Sequence, residues 1–120
     1  MKIAILGVEN SHADAFGQLV KENPKYSDIE IVGIYSEEED ATKRIIDAGY
    51  ATYAAASYDE FVGKVDGVLV TARHGNNHYK YAMPYVKAGI PCFIDKPFCA
   101  DLELAKELAQ TAKDNGTLLC

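Results

Sequence analysis

The sequence has no apolar run approaching the roughly 20 residues that a membrane-spanning helix requires, so no membrane partner is expected. Positive charge is scarce: 12 Lys and Arg stand against 18 Asp and Glu, for a net charge of −6. That balance argues against nucleic acid or an anionic lipid surface as the main partner. Most of the eight tyrosines read as half-buried packing, and their spacing does not suggest a stacking platform for bases. Cysteine is rare and odd in number: Cys92, Cys99 and Cys120 form no C-x-x-C pair. This usage fits a reducing, cytoplasmic setting in which each thiol is a small buried apolar group. Between Lys2 and Gly7 stand only four apolar residues, which is not a secretory signal. Internal repeats, low-complexity tracts and Gly/Ser linkers are also missing.

What the chain does have is an alternation of apolar runs with segments of helical period, over 120 residues that suit one domain. Residues 2–6 and 29–35 read as strands, 50–53 as a short third, 67–70 as a buried fourth and 91–94 as a fifth. The first helix places Ala13, Phe16, Leu19 and Val20 on one stripe and ends at Asn23-Pro24. A polar helix covers residues 40–48, and one or two helical turns are expected over 57–62. A further helix starts near Asn76 or Asn77, turns Ala82, Tyr85, Val86 and Gly89 to one side, and carries Pro84 as a source of bending. Asp101 caps a last helix with Leu104, Ala105, Leu108 and Ala112 as its inner face. Residues 117–119 read as the start of a sixth strand. Six strands in β-α-β order make an α/β fold: a doubly wound, mostly parallel sheet with helices on both faces, three layers deep. Little sequence is left for a substrate domain, so the chain reads as one dinucleotide-binding domain over 1–120, more in keeping with a fragment of a longer protein than with a stand-alone one.

A dinucleotide-binding fold announces itself by G-x-G-x-x-G after its first strand, and here two of the three glycines are missing. Gly7 is in place, Glu9 takes the second position and His12 the third. Glu9 stands where a glycine normally lets the backbone approach the pyrophosphate. Asn10, Ser11 and the helix N-terminus can still donate to phosphate, and His12 can add charge if protonated. Ser11 with Asp14 three residues on is also a capping-box pattern, which by itself implies only a well-capped helix.

In such a sheet, ligands bind beyond the carboxyl ends of the strands where strand order reverses. That brings together Gly7 to His12, the strand end Tyr35-Ser36-Glu37, the loop Thr71-Ala72-Arg73-His74-Gly75-Asn76-Asn77-His78, and Asp95-Lys96-Pro97. All three histidines, His12, His74 and His78, fall in or beside these loops. A metal site built from them and Glu9 is a third reading, but the spacings match no familiar ligand pattern.

Ile94-Asp95-Lys96-Pro97-Phe98 resembles the Glu-Lys-Pro motif of the Gfo/Idh/MocA family of NAD(P)-dependent oxidoreductases, with aspartate for glutamate. His78, Ala88-Gly89 and the Ser57-Tyr58-Asp59-Glu60-Phe61 turn resemble further family features in the same order. The resemblance covers essentially the whole chain as the family's N-terminal Rossmann domain. It implies NAD or NADP as cofactor, a small polyol, sugar or cyclitol-like substrate, and a substrate domain beyond this chain. It also implies that Lys96 lies near the nicotinamide and polarises the reacting oxygen, aimed by a cis bond before Pro97. A lysine suits that task because its ammonium is a mobile point charge. By the same resemblance, His78 opens its helix near the nicotinamide. The third loop resembles a Thr-Pro-Asn-x-x-His turn with one extra residue and no proline, which leaves the roles of Thr71, Ala72, Arg73 and His74 open between cofactor contact and solvent-facing loop.

At the second strand end the family's ribose-gripping aspartate is replaced by Ser36, followed by Glu37. Glu37 would repel a 2′-phosphate, and Lys43 and Arg44 lie a helical turn or more away, so NAD is favoured over NADP. The isolated chain is expected to be inactive and monomeric or weakly associated, with the parent protein a homo-oligomer. The alternative is a Rossmann-fold binding or regulatory module that has lost its dinucleotide, for which Glu9 speaks most strongly.

Overall fold

A computed structural model describes residues 1–96 and 98–120; Pro97, and with it the expected bond geometry before it, lies outside the described residues. Strands β1 (Lys2–Leu6), β2 (Glu30–Tyr35), β3 (Gly67–Val70) and β4 (Cys92–Ile94) form one sheet in the order β2-β1-β3-β4. Every pairing is parallel, which requires crossover connections of the kind the helices supply. The joining helices are α1 (Ser11–Glu22), α2 (Glu39–Asp47) and α3 (Gly75–Lys87), and α4 (Leu102–Asn115) follows β4.

The two faces of the sheet are covered by different helices, and the strand period assigns residues between them. Ala4 and Leu6 of β1 join a core with Tyr81 and Tyr85 of α3 and Leu108 of α4. Ile5, between them, joins the opposite core with Ala13 of α1, Ala41 and Ile45 of α2, and Ile34 of β2. Alternate side chains of one strand thus feed both layers, and the fold is the expected three-layer α/β/α arrangement. Asp101 caps α4 by accepting from the N–H groups of Glu103 and Leu104. Gly116 ends α4 in the left-handed region at φ +66°.

Several expected elements shrink. Residues 50–53 make no strand: Ile34 N–H donates to Tyr53 O at 3.0 Å and Ala55 N–H to Ile34 O at 2.8 Å, and a single bridge at Ala54 results. The alanines at 54–56 bring too little side chain to extend the ladder. The sixth strand is likewise one bridge, Cys92 to Leu119. The helix expected over 57–62 is a run of turns. There the Ser57 hydroxyl bonds the Asp59 carboxylate and accepts the Asp59 N–H, a local bond that competes with helix formation.

Two helix faces also differ. In α1 the buried residues are Ala13 and Gly17, while Leu19 is 42% exposed. A Cβ on Gly17 would lie 2.6 Å from Tyr50 Cγ, so the helix packs through its glycine and turns Leu19 outward. Gly89 is exposed at φ +79°, a turn residue beyond α3 and no part of its inner face. Of the cysteines only Cys92 is buried, and burial pushes its thiol up to about 12.

Candidate functional site

The carboxyl ends of β1 and β3 meet at the point where strand order reverses, and Gly7 decides how closely. It leaves β1 at φ +80°, and an added Cβ would lie 2.5 Å from Ala72 Cα. Only glycine fits both the dihedral and the gap. The two loops are then sewn together. Thr71, fully buried, donates its hydroxyl to Gly7 O at 2.7 Å and its N–H to Leu6 O at 2.9 Å. Asn10 donates its side-chain amide to Thr71 O. Asn10 also caps α1, accepting the His12 N–H at 2.8 Å. The Ser11–Asp14 capping box expected from the sequence is therefore not the one used. Ser11 is the first helical residue, and Asp14 pairs with Arg44 at 3.0 Å.

Glu9 spans the cleft. Its Oε1 accepts the Arg73 N–H at 2.8 Å and its Oε2 accepts the Ser36 hydroxyl at 3.3 Å. The Arg73 guanidinium donates to Glu9 O at 2.6 Å, so this arginine clamps the first loop. Ser36 also accepts the Glu38 N–H at 3.1 Å. Glu37 turns away from this cluster to Lys80, 3.4 Å distant, whose ammonium lies 5.5 Å from the Tyr58 ring centre.

On the other side of the cleft the His12 ring Nδ1 bonds the Asp95 carboxylate, and the other carboxylate oxygen accepts the Lys96 N–H at 2.9 Å. Burial pushes the Asp95 carboxyl up, but the bonds from His12 and Lys96 outweigh it and hold it below the usual carboxylate range. An unfolded chain therefore binds the more protons here as pH falls. The stability this contact contributes is full above the unfolded value near about 3.9 and is lost as pH drops through the folded value. Asp95→Asn is expected to melt lower than wild type at pH 7, with the gap closing below about pH 4. Thermal melts between these pH values check it, and a gap that stayed constant would contradict it.

His78, in the first turn of α3, is fully buried, with Nε2 2.5 Å from Ala72 O. A carbonyl can only accept, so Nε2 carries the proton. Nδ1 is left as a buried acceptor with no partner among the described residues, an arrangement that calls for a donor. His74 is the exposed N-cap of α3 and makes no side-chain cap bond. Lys96 is exposed beside Asp95. Among the described residues no group of three His, Cys, Asp or Glu side chains could hold a metal ion.

Sequence reasoning missed Arg44. Its guanidinium reaches from α2 to Val8 O at 2.6 Å as well as to Asp14, which brings a cation to the first loop. Counting helical turns from Ser36 put it out of range, because the angle of α2 over α1 is not written in local spacing.

The fold has close counterparts. A family model described as the Gfo/Idh/MocA oxidoreductase family, NAD-binding Rossmann fold, matches residues 1–120. No curated protein sequence matches the chain. Among solved structures, a Gfo/Idh/MocA family oxidoreductase from Vibrio cholerae superposes with TM-score 0.82 at 24% identity, over 99% of this chain and 37% of that one. Biliverdin reductase from Synechocystis, solved with biliverdin and NADP+, gives TM-score 0.82 at 20% identity, over 98% and 36%. The WlbA dehydrogenase from Chromobacterium violaceum, solved with NADH and UDP-GlcNAcA, gives TM-score 0.82 at 20% identity, over 99% and 34%. At such identities the likeness carries the fold. The chain spans about a third of the length of these three proteins.

Proposed function

Since the chain belongs to the Gfo/Idh/MocA family of oxidoreductases, we propose that it is the NAD(P)-binding domain of an enzyme moving a hydride between a nicotinamide dinucleotide and a small polyol, sugar or cyclitol-like substrate. The observation that carries this reading is the cleft itself. Gly7, Asn10, Thr71 and Ala72 hold two loops in contact over the strand ends, and a buried histidine there presents an acceptor without a partner among the described residues.

The cofactor supplies the hydride chemistry, and this chain's residues bind and orient it. The N-terminus of α1, where Asn10 takes up the His12 N–H, turns its helix dipole and remaining N–H groups toward an anionic group. Arg44, paired with Asp14, and Arg73 bring guanidinium groups to the first loop by bonding the Val8 and Glu9 carbonyls. His78 Nδ1 accepts a hydrogen bond from a donor entering the cleft. Lys96, exposed on the far side, polarises the substrate oxygen, while Asp95 and His12 fix the backbone from which it projects. Most substrate contacts come from the length of the parent protein outside this chain, so the isolated chain binds cofactor without turning over.

Calorimetric titration with NADH and then NADPH tests the reading. Saturable binding of at least one, with no oxidation of NADH when sugars or polyols are added, is expected. No binding of either at millimolar concentration would favour a module without a dinucleotide, and turnover by these 120 residues would contradict the division of labour.

A further inference from the structure

Two departures from the usual dinucleotide pattern meet at one place: the glycine missing at position 9 and the acid missing at the end of β2. We propose, building on the cofactor reading above, that Glu9 is the ribose-recognising carboxylate of this cleft and selects NAD(H) against NADP(H).

In sheets of this kind an acidic side chain at the end of the second strand accepts from the adenosine ribose hydroxyls. Ser36 holds that place here and cannot offer a charged acceptor. Glu37, the next residue along the chain, is exposed and pairs with Lys80, 3.4 Å away, on the far side from Glu9 and Arg73. The carboxylate at this strand end comes from across the cleft, with Glu9 Oε2 3.3 Å from the Ser36 hydroxyl. A glycine at position 9 would supply no side chain for this, so the two departures compensate each other.

The carboxylate is also held ready. Oε1 takes the Arg73 N–H at 2.8 Å, and the Arg73 guanidinium takes the Glu9 carbonyl at 2.6 Å. Side chain and main chain of Glu9 are thus both tied to the loop after β3. An ionised carboxylate has about four acceptor positions, and these two bonds leave room for a vicinal diol. Because the acceptor is already ordered, little entropy is lost when a ligand uses it.

The same charge sets the selectivity. A serine hydroxyl and an arginine beside a ribose would ordinarily suit a 2′-phosphate. Glu9 sits between them, accepts from both residues, and sets a negative charge against that phosphate. Removing the charge while keeping the shape should end the repulsion of the phosphate. Because the glutamine amide keeps only one acceptor oxygen, it should also release one of the two donors, the Ser36 hydroxyl or the Arg73 N–H, to that phosphate.

The test is calorimetric titration of wild type and Glu9→Gln with NADH, NADPH, ADP and 2′-deoxy-ADP, with thermal melts of both proteins. Wild type is expected to prefer NADH to NADPH, and ADP to 2′-deoxy-ADP, each by about tenfold or more, the value of one charged hydrogen bond. In Glu9→Gln both preferences should fall to within about twofold, with NADPH gaining. Equal weakening of both cofactors would overturn the proposal, leaving Glu9 as a loop clamp. Tighter binding of both would also overturn it, marking Glu9 as a side chain that fills the phosphate space. If Glu9→Gln does not fold, the wild-type comparison decides alone, and equal affinity for ADP and 2′-deoxy-ADP overturns the proposal. Wild type and variant both failing to bind any dinucleotide would instead sink the cofactor reading, and the proposal with it.

Discussion

Gly7→Ala is expected to lower the stability of the chain by about 3 kcal/mol and to abolish whatever ligand binding the cleft has. Two separate costs add. A non-glycine residue at φ +80° costs about 1–2 kcal/mol in backbone strain. The new methyl then meets Ala72 Cα at 2.5 Å, and backbone cannot rotate away as a side-chain tip could. Relief requires the loops after β1 and β3 to part, which stretches the Thr71 hydroxyl bond to Gly7 O. Gly63 supplies the control, since it has the same φ of +80° but nothing within 4 Å of its added Cβ. Gly63→Ala should therefore show the strain alone, about 1 kcal/mol. At roughly 4 °C per kcal/mol for a domain of this size, the two melting temperatures should differ by about 8 °C. Equal melting temperatures would mean that the loops are not in contact.

Tyr85→Ala is expected to cost about 4 kcal/mol and Tyr85→Phe about 1–2 kcal/mol. The side chain is fully buried in the core under α3. Its hydroxyl donates to Tyr58 O at 2.6 Å and accepts the Phe61 N–H at 3.3 Å, and burial raises its pKa well above the usual tyrosine value. The phenylalanine variant keeps the ring and strands two backbone groups of the turn segment that replaced the expected helix. The alanine variant adds the cavity. Urea denaturation of the two variants separates these contributions. A phenylalanine variant as stable as wild type would show that water, and not Tyr85, satisfies the turn.

Much of this fold was legible in the sequence because period carries burial. Gly67-Val68-Leu69-Val70 read as a buried strand from its unbroken apolar run, and α4 showed clear caps at both ends, Asp101 and Gly116. The elements that failed were those decided by neighbours. Residues 53–55 lie beside β2 and meet it through two backbone bonds, both to Ile34, and no local pattern tells a strand from such an edge contact. The cap of α1 went to Asn10 because its amide could also reach Thr71, 61 residues away. In the site, the loops that converge were readable from the strand order. The direction of each side chain was not. That Glu9 would turn to Ser36, Glu37 to Lys80 and Arg44 to Val8 depends on helix angles that only the packed fold sets.

A nicotinamide dinucleotide is expected to bind in the cleft over the strand ends. Amide chemical-shift mapping of the isotope-labelled chain during titration with NADH tests it most directly. Binding there predicts saturable shifts at Gly7, Asn10, His12, Ser36, Arg73 and Asp95, with the exposed outer face of α4 unmoved. Saturable shifts confined to other surfaces, or none at millimolar NADH, would contradict it.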